Sequence, residues 1–304
     1  MIRTTALARF TAVACVGVTL AACSSGGGPS RESTPPTSAS SSATGPAGTI
    51  TPDMARAMAG AARAATALIS YDYRHLDTDH ANTVRYLAEP FRSQYETSWQ
   101  TITAKAPPER AVVKGRITDF AISQVRPDAV DVLLYGEQTI TNKQLTSPRI
   151  ETIALRVTVR SPDWNITELE EVGSSTNPSA PSTAWASPDL AAALLAARQC
   201  VTTLNSLDRR KIDAQLQAML GCTTSQLHTQ LNSQQAELRS AAAKATTVGK
   251  VTGIGVSSVA VDHCVLLVAV STSRTPGGAA SFNRLVVTMQ YGSGHWLMSQ
   301  VDSE

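Results

Sequence analysis

One short segment of the sequence concentrates the side chains that could do chemistry. Nine consecutive residues contain five carboxylates and imidazoles: Asp72, His75, Asp77, Asp79 and His80. An Asp and a His three residues apart share a helix face, and these two ligand types together can hold a divalent metal ion. The same composition is typical of a solvated turn between helices, whose carboxylates cap the next helix. We favour this second interpretation and expect no metal, no cofactor and no catalytic residue.

Two other patterns that could mark an enzyme lack the surroundings that such chemistry requires. His263 and Cys264 are adjacent in a strand-like pattern, so their side chains point to opposite faces and do not form a thiol–imidazole pair. The segment 253–255 has two glycines in a strand pattern, without the helix that a phosphate-binding loop needs. The sequence therefore predicts a protein that is not an enzyme.

Residues 1–22 are typical of a bacterial export signal. Arg3 and Arg9 precede an uncharged apolar run at 10–22, which is too short to span a bilayer. The run ends in Leu-Ala-Ala before Cys23, which resembles the bacterial lipobox, whose cysteine is acylated and becomes the new N-terminus. We expect a lipoprotein held by acyl chains such as palmitate on the outer face of the cell membrane. An ordinary secretory signal and a short membrane anchor are the alternatives.

The next segment, 23–50, is a flexible tether by composition. Beyond Cys23 it consists almost wholly of Gly, Ser, Pro, Thr and Ala, which cannot bury enough apolar surface to fold. Removal of the signal takes two of the 26 basic residues and leaves a number equal to the 24 acidic ones. A near-neutral protein lacks the basic surface that phosphate backbones require, which argues against nucleic-acid binding.

The first lobe, residues 51–173, has helical patterns followed by strand patterns. It begins with a Thr-Pro-Asp helix start and contains three helical stretches, the last of which Pro107 and Pro108 are expected to end. Strand-like segments follow at 112–125, 129–141, 149–160 and 164–172. The last two form a predicted hairpin with Trp164 at the start of the returning strand. This order predicts an α+β fold, with about three helices packed on a curved antiparallel sheet.

A Pro/Ser-rich linker, 174–184, precedes a second lobe, residues 185–304, that repeats this order. The repeat includes a Ser-Pro-Asp helix start at 187–189 and a second hairpin with Trp296. We infer an old internal duplication that produced two tandem domains; two unrelated α+β domains are the alternative. The alignment pairs 196–198 with 61–63, 207–208 with 76–77, and 265–267 with 132–134.

Three cysteines lie in the second lobe, which is expected outside the reducing cytoplasm. Cys200 and Cys222 fall on neighbouring predicted helices, so we expect a disulfide between them. Cys264 lies among apolar strand residues and is expected to pack as a small hydrophobic side chain. A disulfide that uses Cys264 is the alternative.

A resemblance to a known family rests on residues 61–172. This range contains an Ala-rich helix, Ile-Ser-Tyr-Asp-Tyr at 69–73, Val-Asp-Val-Leu-Leu at 130–134 and the Trp164 hairpin. In these features each lobe resembles the extracytoplasmic domain of Mce-associated membrane proteins, accessory factors encoded beside bacterial lipid importers. The second lobe has Asn-Ser at 205–206 in place of the Tyr-Asp-Tyr segment. The family usually has one transmembrane helix before the domain, whereas this chain has a lipobox.

The resemblance implies a cone-shaped, nuclear-transport-factor-2-like fold in each lobe and a non-catalytic, accessory role in a Mce-type lipid-import complex. The implied partners are the membrane and the importer subunits. Two alternatives stay open. One is a lipid carrier whose apolar cone holds an acyl chain or a sterol. The other is an isomerase- or dehydratase-type enzyme on the same fold, with acid–base groups turned into the cone: Tyr71, Tyr73, Asp119 and Tyr135.

Overall fold

The structure, a computed structural model, describes residues 50–172, 186–276 and 278–303. The helices and strands of the first lobe are α1 Pro52–Leu68, β1 Tyr71–Asp72, α2 Leu76–Val84, α3 Phe91–Glu109, β2 Val112–Val125, β3 Ala129–Thr141, β4 Arg149–Arg160 and β5 Asn165–Glu171. Those of the second lobe are α4 Pro188–Leu204, α5 Ile212–Gly221, α6 Ser225–Ser233, α7 Gln235–Lys244, β6 Thr246–Val259, β7 His263–Thr275, β8 Gly278–Gly292 and β9 His295–Ser303. The signal, Cys23, almost all of the tether and the linker lie outside the described residues.

The predicted α+β class is confirmed, because helices precede an antiparallel sheet in both lobes. The strands form one sheet in the order β5-β4-β3-β2-β6-β7-β8-β9, with β1 paired to β2, and both lobes belong to one compact unit. The lobes join where β2 meets β6 through a single antiparallel pair, Ile122 and Val256. No helix in the described ranges is long and apolar enough to span a membrane.

The helices differ from the prediction in the end of α3 and in their number in the second lobe. The third helix does not stop at Pro107: α3 continues through Pro108 to Glu109, because a proline's fixed φ fits a helix and each costs only one backbone donor in the last turn. The second lobe has four helices rather than three, because the polar helix after α5 divides at Gln234 into α6 and α7.

The two lobes begin in the same way. The Thr51 hydroxyl accepts a hydrogen bond from the Met54 amide at 3.3 Å, and the Ser187 hydroxyl accepts one from the Leu190 amide at 3.3 Å. In both helices proline follows the cap, where its missing N–H is not needed. The repeated helix start is therefore a repeated capping geometry.

The strand registers also repeat, and they correct the alignment. Each β-bulge of the first lobe recurs in the second: Ile117/Asp119 as Val251/Gly253, Ile122/Gln124 as Val256/Ser258, and Thr158/Val159 as Thr288/Met289. Val132 pairs with Ile122, and Leu266 pairs with its equivalent, Val256. Val132 therefore corresponds to Leu266 and not to Val265, and the error of one residue exchanges the two faces of the strand.

The segment after the first helix of each lobe is held by the same contact. The Ser70 hydroxyl accepts a hydrogen bond from the Gly115 amide at 3.0 Å, and Ser206 accepts one from Gly249 at 3.0 Å. A methyl group on either glycine would overlap the residue before that serine, so the close approach needs glycine. Asn205-Ser206 therefore corresponds to Ile69-Ser70. The prediction that it replaces the Tyr-Asp-Tyr segment was wrong.

The two hairpin tryptophans hold equivalent register positions in unlike surroundings. Four residues separate β4 from β5, and Trp164 is the last of them, half-buried with a left-handed backbone (φ 54°). Only Ser293 and Gly294 separate β8 from β9, both with positive φ, as in tight hairpin turns. The shorter turn lengthens the second hairpin, so that Trp296 lies within β9, buried beside Tyr291 with ring centroids 5.4 Å apart.

The sheet of the first lobe is buried on both faces near its centre. All eight residues 129–136 of β3 are buried. Leu133 and Tyr135 pack in a cluster with Leu267 and Ala269 of the second lobe. A continuous buried run is expected where both faces of a strand are covered. The second lobe therefore covers the sheet face that the helices leave free.

An arginine of each lobe also donates a hydrogen bond to a backbone carbonyl of the other lobe. Arg284 on β8 is 5% exposed, donates to the Gly136 carbonyl at 3.0 Å and lies over the Tyr135 ring at 5.7 Å. Arg156 on β4 donates to the Thr252 carbonyl at 3.2 Å. Arg156 and Arg284 lie on equivalent strands, but Arg284 reaches β3 whereas Arg156 reaches β6, so the two contacts are not related by the repeat.

The cysteines of the second lobe have two different states. Cys200 and Cys222 form a disulfide whose Cα atoms are 5.8 Å apart, and it joins α4 to the residue after α5. Cys264 is a free, fully buried thiol, and burial raises its pKa to about 12. The expectation that Cys264 packs as a hydrophobic side chain is confirmed.

We predict that replacing both Cys200 and Cys222 with alanine will lower the free energy of unfolding by about 3 kcal/mol, because the unfolded chain regains the freedom that a cross-link over a 22-residue separation removes. Urea unfolding followed by circular dichroism measures this. The wild type with a reductant should reproduce the loss, and an unchanged urea midpoint under reducing conditions would contradict the prediction.

Arg284→Ala should lower the free energy of unfolding by about 2 kcal/mol, because it removes a buried, charged hydrogen-bond donor and leaves the Gly136 carbonyl without it. Arg274→Ala, at an exposed position on the neighbouring strand β7, is the matched control and should change stability by less than about 0.5 kcal/mol. Equal effects of the two substitutions in urea unfolding would show that the contact between the lobes does not depend on Arg284.

Candidate functional site

The polar cluster of the first lobe does not converge on a metal. In the described part of the chain, no group of three or more His, Cys, Asp or Glu side chains could hold a metal ion. Asp72 is engaged by Arg74, whose Nη2 lies 2.6 Å from its carboxylate, and this hydrogen bond lowers the pKa of Asp72 to about 2. His75 and Asp77 are exposed to solvent. The turn before α2 is therefore solvated, but the expectation that its carboxylates cap that helix is wrong, because α2 begins after His75 without a side-chain cap.

Asp79 has a structural role that the second lobe reproduces with a different residue. Its carboxylate accepts a hydrogen bond from the Asp72 amide at 2.8 Å. In the second lobe the side-chain carbonyl of Gln215 accepts one from the Asp208 amide, also at 2.8 Å. An amide cannot exchange a proton near neutral pH, so what this position requires is an acceptor oxygen and not an ionisable acid.

His80 belongs to an aromatic cluster between α2 and α3. Its Nε2 lies 2.8 Å from the Glu96 carboxylate, and its ring stacks on Tyr95 at 5.9 Å and tilts against Trp99 at 5.3 Å. Tyr95 is buried, and burial raises its pKa to about 12, so its phenol stays neutral. Leu216 occupies the position of His80 in the second lobe and is buried. The imidazole therefore stands where the duplicated fold also accepts an aliphatic side chain.

The four acid–base candidates do not meet. Tyr71 pairs with Val113 at the start of β2, and burial, helped by Glu109, raises its pKa. Tyr73 lies against the Arg74 guanidinium at 5.6 Å. Asp119 and Tyr135 pair further along the sheet, and Tyr135 is fully buried against the second lobe. Tyr135 therefore has a packing role and does not supply the cone group that the enzyme alternative required.

A groove in the first lobe is the site that sequence reasoning missed. It has a cavity volume of about 540 Å³ and lies between α1, α2 and β2. Apolar side chains of Ala62, Ala67 and Ile117 line it, and Arg63 and Arg85 are its exposed cations. Its remaining lining residues are Thr66, Ser70, Asp79, Asn82, Thr83 and Tyr86.

The second lobe has larger or cross-linked residues at the equivalent positions. Counting from the shared helix starts, Arg198 stands in the position of Ala62; it is half-buried, and burial lowers its pKa. Met219, 1% exposed, stands in the position of Thr83. Cys222, in the disulfide, stands in the position of Tyr86. The groove is therefore a feature in which the two lobes have diverged.

A signal for this groove was present in the sequence. The predicted alignment of 196–198 with 61–63 conflicts by one residue with the alignment of the two Pro-Asp helix starts. Aligning the prolines puts Arg198 opposite Ala62, which is a change from the smallest chiral side chain to a long cation. The prolines are the better guide, because both occupy the first helical position after a capping hydroxyl.

Asp79→Ala should lower the free energy of unfolding by about 1–2 kcal/mol, because the Asp72 amide loses its acceptor, whereas Asp79→Gln, which copies the second lobe, should cost less than about 0.5 kcal/mol. Thermal and urea unfolding of the three proteins measure the difference. If the glutamine variant lost as much stability as the alanine variant, the carboxylate charge would be the required feature.

Comparison with known proteins finds distant relatives. No family model matches the chain. Two uncharacterized proteins of Mycobacterium tuberculosis, one from each of two strains, are 31% identical to it over 119 residues, which is 38% of this chain and 54% of each relative. The chain thus spans about half the length of the curated relatives that it matches.

Three solved structures show weak likeness. They are an Ntf2-like protein involved in plasmid conjugation (TM-score 0.29, 10% identity, 82% of this chain and 96% of that one), CagV, a VirB8 homologue of the type IV secretion system from Helicobacter pylori (0.33, 10%, 38% and 96%), and an IcmL-like type IV secretion system protein from Legionella pneumophila (0.35, 15%, 41% and 96%). At these TM-scores the fold class of the chain rests on its own helices and strands.

Proposed function

We propose that this chain is a non-catalytic lipoprotein, anchored through Cys23 on the outer face of the cell membrane, that acts as an accessory factor of a Mce-type lipid importer. In this proposal the tether holds the two-lobed body above the membrane, where it docks on importer subunits. The anchor lies outside the described residues, and its support is the lipobox-like sequence before Cys23.

The non-catalytic part of the proposal is supported by a hydrogen bond that both lobes share. Its acceptor is Asp79 in the first lobe and Gln215 in the second. Both residues accept a backbone amide at 2.8 Å, and only one of them can ionise. Asp79 belongs to the polar cluster at 72–80, whose carboxylates and imidazoles are the residue types most suited to acid–base chemistry. Its role in the second lobe is met without acid–base chemistry, which favours a structural role in the first.

The importer assignment is supported by the resemblance over 61–172, and these residues have an architectural role in the structure. Ser70 accepts a hydrogen bond from the Gly115 amide, and the Asp72 amide donates one to the Asp79 carboxylate, so the Ile-Ser-Tyr-Asp-Tyr segment links α1 and α2 to the sheet. Such a motif belongs to the architecture of a domain, and an accessory protein needs a stable surface more than a reactive centre.

The proposal is tested by purifying an affinity-tagged full-length chain from solubilised membranes of its own host and quantifying importer subunits by mass spectrometry. We expect Mce-type importer subunits to be enriched over an untagged strain. The matched variant is Cys23→Ser, which keeps both lobes and removes the acylation site. It should leave the membrane fraction and lose the enrichment.

The two parts of the proposal can fail separately. A wild-type purification without importer subunits would overturn the importer assignment. Retention of the Cys23→Ser variant in the membrane fraction after a salt wash would overturn the lipid anchor.

A further inference from the structure

The interior of the first-lobe groove is mainly apolar, whereas its rim is charged. Three of its four hydroxyl groups donate to backbone carbonyls: Thr66 to Ala62 at 2.9 Å, Ser70 to Thr66 at 2.6 Å and Thr83 to Asp79 at 2.9 Å. The fourth, on Tyr86, accepts from Arg85 at 2.9 Å. With these donors engaged, the interior offers a ligand mainly methyl and methylene groups. A volume of about 540 Å³ lies within the range of roughly 300–1,000 Å³ for sites that hold small molecules.

The rim carries positive charge that the described part of the protein leaves unneutralised. Neither Arg63 nor Arg85 has a carboxylate within ion-pair distance among the described residues, and Arg85 donates instead to the Tyr86 hydroxyl at 2.9 Å. The one carboxylate of the groove, Asp79, accepts from the Asp72 amide. Two cations against one anion leave a net positive site beside an apolar cavity.

The second lobe has the same fold without this combination of small lining residues and rim cations. It places the Arg198 side chain at the position of Ala62 and the buried Met219 at the position of Thr83. It has Gln199 and Gly221 in place of Arg63 and Arg85. Fold stability therefore does not require the small residues or the rim cations. The first lobe has both together.

We propose that the first-lobe groove binds a single-chain amphiphile with an anionic head group. The head group lies between Arg63 and Arg85, and the hydrocarbon chain lies along Ala62, Ala67 and Ile117. Charge complementarity selects the head group, and burial of methylene groups supplies the affinity. The inference concerns this lobe alone and does not depend on the importer assignment.

The test is isothermal titration calorimetry of dodecanoate into the full mature chain carrying Cys23→Ser, so that no acyl chain of the protein competes. We expect saturable binding of one dodecanoate per chain. Ala62→Arg, which installs the second lobe's residue, should weaken binding at least about tenfold, since a long side chain then occupies the cavity. Ala55→Arg adds the same side chain at an exposed position of α1 outside the groove and should leave binding unchanged.

Head-group recognition is tested separately with Arg63→Gln combined with Arg85→Gln. This variant should weaken dodecanoate about tenfold and should not weaken dodecyltrimethylammonium, which has the same chain and a positive head. Dodecyl phosphate serves as a second anion: binding tighter than dodecanoate would identify a phosphate head, and weaker binding a carboxylate. Absence of saturable dodecanoate binding, or equal affinity of the Ala62→Arg variant with a folded circular dichroism spectrum, would overturn the proposal.

Discussion

The structure depends on the need to bury both faces of the strands in each lobe. The helices of a lobe cover one face, and the other lobe covers the second. Ile122 pairs with Val256, and these residues are equivalent in the two registers. Contact between equivalent residues is what an approximate two-fold axis produces, as in isologous dimers. The two lobes therefore behave as a dimer within one chain, with the axis close to this pair.

This arrangement explains why the centre of the sheet is so apolar and why cations enter it. Leu133 and Leu267, equivalent by register, both lie in the cluster between the lobes. Arg284 enters the same region because its guanidinium reaches the Gly136 carbonyl and the Tyr135 ring. A buried cation is tolerated only where such partners compensate for the loss of water. The contact between the lobes is thus both apolar and specific in register.

The structural repeat allows equivalent positions of the two lobes to be compared. Ser70 and Ser206 make the same contact with the same residue type, so the contact is needed for the fold. Asp79 and Gln215 make the same contact with different residue types, which separates the acceptor oxygen from its charge. Ala62 and Arg198 occupy equivalent positions, but Ala62 lines the groove with a small side chain whereas Arg198 is a half-buried cation. Divergence of this kind marks the first-lobe groove as a place where the lobes have specialised.

Local sequence patterns predicted the Pro-Asp helix starts, the order of helices before strands in each lobe, the repeat and the hairpins that carry Trp164 and Trp296. These follow from capping, alternation and turn residues, which act over a few positions. Such patterns could not predict the register between the lobes, the burial of β3 on both faces or the open groove beside Ala62. Those features depend on contacts between residues far apart in sequence, and an error of one residue in a strand or helix changes which side chains meet.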